Sequence, residues 1–158
     1  MASSKIVDSP VGWVQDHIRA YIESNGEEGH IWRGVPTLLL TTTGRKSGTL
    51  RRTALIYGRD GDDYVIVASK GGDPKNPLWY ENLATNSKVI LQVGADVFDC
   101  VASTYKDQGA GRRIVKKFGT HWLKFGQVSP NIKSKLNAAF LLCACRGLVN
   151  CLFSGFEK

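Results

Sequence analysis

The chain has 158 residues, 42% hydrophobic and 22% charged, with a net charge of +7. A chain of this length is most simply one domain, burying about 70% of its unfolded surface on folding, and its near-average composition excludes wholesale disorder. The N-terminus has no apolar run followed by a small-residue cleavage pattern, which predicts a cytoplasmic protein whose four cysteines, Cys100, Cys143, Cys145 and Cys151, remain thiols.

In chain order, Ser9-Pro10 followed by Val11, Val14, Ile18, Tyr21 and Ile22 predicts a capped amphipathic helix that ends at Asn25-Gly26. Pro36 to Thr43 (PTLLLTTT) is apolar and β-branched and stops at Gly44, as a strand entering a turn does. Leu50 to Arg59 leaves that turn as a second strand. Asp60-Gly61-Asp62 signals a hairpin into a third strand, Tyr64 to Ser69. Glycines and prolines in Lys70 to Pro77 break the pattern. Leu78 to Ala84 then predicts a short helix, with Asn76 as its cap and Pro77 at its first position. Lys88 to Val93 and Val97 to Thr104 form a further hairpin around Gly94-Ala95-Asp96. One helix, about five strands linked mainly by hairpins and one helical crossover predict an α+β fold around a small antiparallel barrel.

The positive charge is not spread along this chain. Residues 1–107 hold 12 Lys and Arg against 13 Asp and Glu, whereas residues 108–158 hold 9 against 1. A balanced body over 1–107 is thus followed by a basic, apolar tail over 108–158, for which helices are expected at Arg112 to Phe118 and Ile132 to about Cys151. Leu136 to Phe153 is interrupted by Asn137, Arg146 and Asn150, and a membrane span wants about 20 apolar residues, so a buried or surface-lying helix is expected there.

Familiar catalytic arrangements are absent. His17, His30 and His121 have no Cys or acidic neighbour at metal spacing, so no metal is expected, and the sequence holds no nucleophile elbow, Walker pattern or complete dinucleotide fingerprint. What remains are polar loops. GRKSG, Gly44 to Gly48, combines backbone N–H groups, a guanidinium, an ammonium and a hydroxyl, the means of holding phosphate or carboxylate, and Arg51 adds a cation. Ala68-Ser69-Lys70-Gly71-Gly72 repeats that chemistry, with Trp79 and Tyr80 as aromatic surface nearby. A basic turn alone is more often solvated surface. Two such loops closing on one barrel end, with aromatics between them, point to a binding site.

TTTGRKSG, VASKGG and NPLWYENL, in this order and spacing, resemble the deazaflavin-dependent nitroreductase family, which uses the reduced coenzyme F420. The resemblance covers roughly residues 10–105. It implies a split β-barrel of flavin-reductase type with an N-terminal helix and a crossover helix. It also implies that Arg45, Lys46 and Ser47 bind the phosphate and polyglutamate part of the coenzyme, with Arg51, Arg52, Thr53, Ala54, Leu55 and Ile56 running beneath it. Val67, Ala68, Ser69, Lys70, Leu78, Trp79, Tyr80, Glu81 and Asn82 would complete the coenzyme site. The implied reaction passes a hydride from the coenzyme to a quinone, enone or nitroaromatic acceptor, and Ser69 is the candidate catalytic residue, as a hydrogen-bond donor to the acceptor.

After about Asp107 the resemblance stops. Three readings of the tail stand side by side: a different cap over the acceptor, with Phe118, Trp122 and Phe125; a basic element that brings the protein to a membrane surface; or an out-of-frame C-terminus. Two other functions remain open, a deazaflavin carrier without turnover and nucleic-acid binding by the basic tail. Nucleic acid is not expected as a partner, because the positive charge lies away from the strand loops.

Overall fold

The computed structural model describes residues 5–60, 62–68, 70, 73, 75–103 and 146–147. They form β1 (Ile6–Asp8), α1 (Gly12–Glu23), β2 (Ile31–Trp32), β3 (Val35–Thr43), β4 (Leu50–Asp60), β5 (Asp63–Ile66), α2 (Leu78–Thr85), β6 (Lys88–Val93), β7 (Asp96–Val101) and β8 (Arg146–Gly147). The fold is mixed α+β, as the sequence indicates. The strand order is β1-β4-β3-β6-β7-β8, with β2 on β3 and β5 on β4. Every pairing is antiparallel except that of β1 with β4.

β3 is central because both its faces are apolar: all its residues except Pro36 and Thr43 are buried. Leu38 and Leu40 pack with Ile66, Leu83, Val89 and Leu91 on one side. Leu39, pointing the other way, packs against Val14, Ile18 and Tyr21 of α1. Those three α1 residues recur at helical spacing and form the stripe that holds the helix on the sheet. Truncating one of these buried leucines to alanine costs about 2–5 kcal/mol.

Tyr21 fastens α1 with hydrogen bonds as well as area. Its hydroxyl donates to the Thr37 carbonyl (3.1 Å), accepts from the Gly94 N–H (2.7 Å) and shares a bond with His30 Nδ1 (3.0 Å). The helix ends on Asn25 and Gly26 in left-handed conformation, with the Gly26 N–H donating to the Tyr21 carbonyl at 2.7 Å. A Cβ on Gly26 would lie 2.4 Å from Gly94 Cα, so glycine is what allows the helix end to meet the β6–β7 turn.

Several sequence expectations need correction. Ser9 does not cap α1: the N-cap is Val11, without a side-chain cap bond, and Ser9 Oγ accepts from the N–H of Val11 itself at 3.4 Å, ahead of the helix. Asn76 does not cap α2, because Pro77 occupies the N-cap position. The third strand stops at Ile66 and the last hairpin strand at Val101. β1, β2 and β8 were not expected. β8 pairs Gly147 with Cys100 and Arg146 with Val101, so the tail contributes a strand within the expected helix Ile132 to Cys151. The expected helix Arg112 to Phe118, the rest of the Ile132 helix, and Phe118, Trp122 and Phe125 lie outside the described residues. Among the described residues, no helix is long and apolar enough to cross a membrane.

Candidate functional site

β4 is the strand on which the site is built. β1 pairs with it over Leu50–Arg52 and β5 over Tyr57–Asp60. Between those two pairings, Thr53 to Ile56 line a cavity of about 680 Å³, joined by Arg51 and Arg52. Register with β3 puts Arg52, Ala54 and Ile56 on the α1 face and Arg51, Thr53 and Leu55 on the α2 face. Residues of both faces line one cavity, so it wraps around the edge of β4.

On the α2 side the walls are Val67, Lys70, Pro77, Leu78, Trp79, Asn82 and Thr42. Asn82, only 4% exposed, holds this side together. Its Oδ1 accepts the Arg45 backbone N–H at 3.1 Å and its Nδ2 donates to Thr42 Oγ1 at 3.1 Å. Arg45 also makes an ion pair with Glu81. The GRKSG turn is thereby clamped to α2 by one main-chain and one side-chain bond. Residues 45–48 are exposed, and the turn closes with the Gly48 N–H donating to the Gly44 carbonyl at 2.8 Å. Gly48 has φ 68°, which side chains rarely adopt. A Cβ on Gly44 would lie 3.5 Å from Arg51 Nε, so Arg51 lies against this turn.

On the α1 side the walls are the N-terminal segment Val7 to Val11 with Trp13, Val14, His17, Trp32 and Thr37. Trp13 stacks on Trp32 with ring centroids 5.4 Å apart, and the Arg33 guanidinium lies 4.7 Å from the Trp32 ring centre. His17 Nε2 is 3.4 Å from Thr37 Oγ1, and burial lowers the pKa of this imidazole, offset in part by a bond to the Gly29 backbone. It is therefore held toward its neutral form.

The cations differ in how far they are already engaged. Arg45 pairs with Glu81, Arg52 with Asp8 (2.7 Å) and Lys70 with Asp73 (2.9 Å). Among the described residues, Lys46 and Arg51 have no carboxylate partner. The cavity thus has unneutralised positive charge where Arg51 meets the GRKSG turn, and aromatic surface from Trp79 on the α2 side and from Trp13 and Trp32 on the α1 side.

Of the residues expected at a site, Arg51, Arg52, Thr53, Ala54, Leu55, Ile56, Val67, Lys70, Leu78, Trp79 and Asn82 all line this cavity. Arg45, Lys46 and Ser47 sit on the adjoining turn. Glu81 points to Arg45, Tyr80 is half-buried on α2 and Ala68 is buried in the core. Ser69 lies outside the described residues. Sequence reasoning missed the N-terminal wall and the Trp13–Trp32 stack, whose partners are far from Arg51–Ile56 along the chain.

These features define an α+β protein with a cavity around the stretch of β4 between its β1 and β5 pairings, lined by cationic and aromatic side chains. Residues 13–130 match the family model described as F420H(2)-dependent quinone reductase, which reaches past Asp107. The F420H(2)-dependent quinone reductases Rv1261c and MT1299 of two Mycobacterium tuberculosis strains are each 51% identical over 87 residues, 54% of this chain and 58% of theirs. The chain spans less than two-thirds of the length of these curated relatives. A solved F420-H2 dependent reductase, FDR-A, superposes with a TM-score of 0.55 at 30% identity, covering 70% of this chain and 94% of that one. A second solved structure, a domain-swapped dimer, gives 0.52 at 29% identity over 87% of this chain and all of the other. The chain belongs to the F420H(2)-dependent quinone reductase family.

Proposed function

We propose that this chain is an oxidoreductase that binds coenzyme F420 in the β4 cavity and uses it to reduce a quinone, on a sheet that is the described part of a split β-barrel. The observation that carries the reading is that three separate motifs, Arg51–Ile56, Val67 with Lys70, and Leu78 with Trp79 and Asn82, line one cavity in a chain of this family. Its volume of about 680 Å³ suits a cofactor-sized ligand, since such sites run from about 300 to 1,000 Å³. The donor set fits a molecule with a flat ring and an anionic tail.

When bound, the reduced coenzyme supplies a hydride from its ring, which is chemistry that no side chain here provides. The protein binds and orients. Lys46, Arg51 and the backbone N–H groups of Lys46 and Ser47 in the GRKSG turn hold the anionic tail, with the Ser47 hydroxyl as an added donor. Leu55, Leu78 and Trp79 supply apolar surface that excludes water from the ring. Ser69, between Ala68 and Lys70 in sequence, offers a hydroxyl to the acceptor. The stacked Trp13–Trp32 pair offers it aromatic surface, with the His17 ring edge-on to Trp32 and held toward its neutral form.

Fluorescence titration with oxidised coenzyme F420 tests this. Saturable binding is expected for the unmodified protein. Lys46→Ala and Arg51→Ala should each weaken it about tenfold, since a charge-assisted hydrogen bond is worth roughly 1.5 kcal/mol or more. An unmodified protein that does not bind the coenzyme would end the reading. Binding without consumption of the reduced coenzyme by a quinone would instead make the chain a carrier.

A further inference from the structure

The wall of the cavity on the α1 side depends on a short N-terminal segment. Val7, Asp8, Ser9, Pro10 and Val11 all line the cavity, and β1, the strand that carries the first two, has three residues paired in parallel with Leu50, Arg51 and Arg52. So short a parallel pairing is a weak attachment on its own. Its last rung is reinforced: Asp8 and Arg52 are register partners, and Arg52 Nε donates to Asp8 Oδ1 at 2.7 Å. The two side chains are 27% and 19% exposed, enough shelter to reduce screening by salt.

A carboxylate in the wall of a cavity that takes an anion opposes binding unless it has another task. Here it occupies Arg52, which projects on the α1 face, whereas Arg51 projects on the α2 face beside the GRKSG turn. We propose that Asp8 is a positioning residue of this site: by clasping Arg52 it holds the N-terminal segment in place as a wall of the coenzyme cavity, so Arg52 serves the clasp and not the anion grip. The part that concerns the coenzyme rests on the function proposed above. The clasp itself does not.

A double-mutant cycle tests it, with Asp8→Asn, Arg52→Gln, the two combined, and the charge-swapped pair Asp8→Arg with Arg52→Asp. Amide hydrogen exchange of residues 6–8 in the ligand-free protein and the Kd for coenzyme F420 are read for each. Each single variant should speed exchange at 6–8 and weaken coenzyme binding by about tenfold, within the range of coupling between contacting residues. The double variant should be no worse than either single one, and the charge swap should restore most of both. If Arg52→Gln weakens binding while Asp8→Asn leaves it unchanged or tightens it, Arg52 is an anion ligand and the proposal fails. Unchanged exchange at 6–8 in both single variants also overturns it. Should the unmodified protein fail to bind coenzyme, the exchange cycle still decides whether the clasp exists.

Discussion

Asn82→Ala is the substitution that most directly separates the clamp on the GRKSG turn from the charges the turn carries. Asn82 is 4% exposed and Thr42 1%, so their shared bond of 3.1 Å is out of reach of water. Alanine removes the acceptor for the Arg45 N–H and the donor to Thr42 Oγ1. The exposed Arg45 N–H can turn to solvent at little cost, whereas the buried Thr42 oxygen cannot. A stranded buried polar group costs about 1–3 kcal/mol, and the net loss of the bonds themselves adds about 1 kcal/mol. A total of about 2–4 kcal/mol corresponds to a Tm lower by roughly 4–16 °C for a domain near this size. Coenzyme affinity should fall in parallel, because the turn loses its main-chain tether to α2. Differential scanning fluorimetry gives the first quantity and fluorescence titration the second. Asn82→Asp, which keeps an acceptor for Arg45, should lose less affinity than Asn82→Ala. An Asn82→Ala protein with unchanged Tm and unchanged affinity would refute the clamp.

Other outcomes follow from the same structure. Tyr21→Phe removes one hydroxyl that makes three hydrogen bonds to His30, Thr37 and Gly94, and should lower the unfolding free energy by about 1–3 kcal/mol in urea titration without altering the core contacts of the ring. Gly26→Ala places a Cβ 2.4 Å from the Gly94 backbone at φ 85°, whereas Gly34→Ala at φ 82° meets nothing within 4 Å. The first should destabilise by more than about 3 kcal/mol and the second by about 1 kcal/mol, as read from denaturation midpoints. Burial lowers the His17 pKa below its ordinary 6.5, so the unfolded chain takes up this proton before the folded one does. Its contribution to stability is then complete above pH 6.5 and is lost as the pH falls from there through the folded-state pKa. His17→Gln should reduce the loss of stability between neutral and mildly acidic pH, and an identical pH dependence in the variant would remove His17 as its source.

Much of the site was legible because its pieces are local. PTLLLTTT, GRKSG and the strand after it form one hairpin, so the register that aligns Thr43 with Leu50 follows from the turn between them. Leu78–Asn82 was legible as a helix for the same reason. The roles within these pieces were less so. Arg45 and Asn82 read as coenzyme contacts, yet one is paired with Glu81 and the other spans the turn and β3, arrangements that depend on residues nearly 40 positions apart. β1 escaped detection because Ile6 to Asp8 is too short to show a period and pairs in parallel with a strand more than 40 residues away. The aromatic wall was hidden likewise: Trp13 reads as part of an amphipathic helix, and its stacking on Trp32 arises only when α1 docks on β3. In the tail, an apolar run such as Leu136 to Phe153 fits a helix or a buried strand equally well by composition, and β8 at Arg146–Gly147 falls inside it.

The central claim is that the β4 cavity holds reduced coenzyme F420 for delivery of its hydride to a quinone. Mixing the purified protein with reduced coenzyme and a soluble quinone, and following the return of the oxidised coenzyme's absorbance, tests it most directly. The account predicts oxidation that depends on the protein, saturates with coenzyme, and requires a higher coenzyme concentration, with little change in the maximal rate, in Arg51→Ala. Oxidation no faster than without protein, or an Arg51→Ala protein that saturates at the same coenzyme concentration, would contradict it.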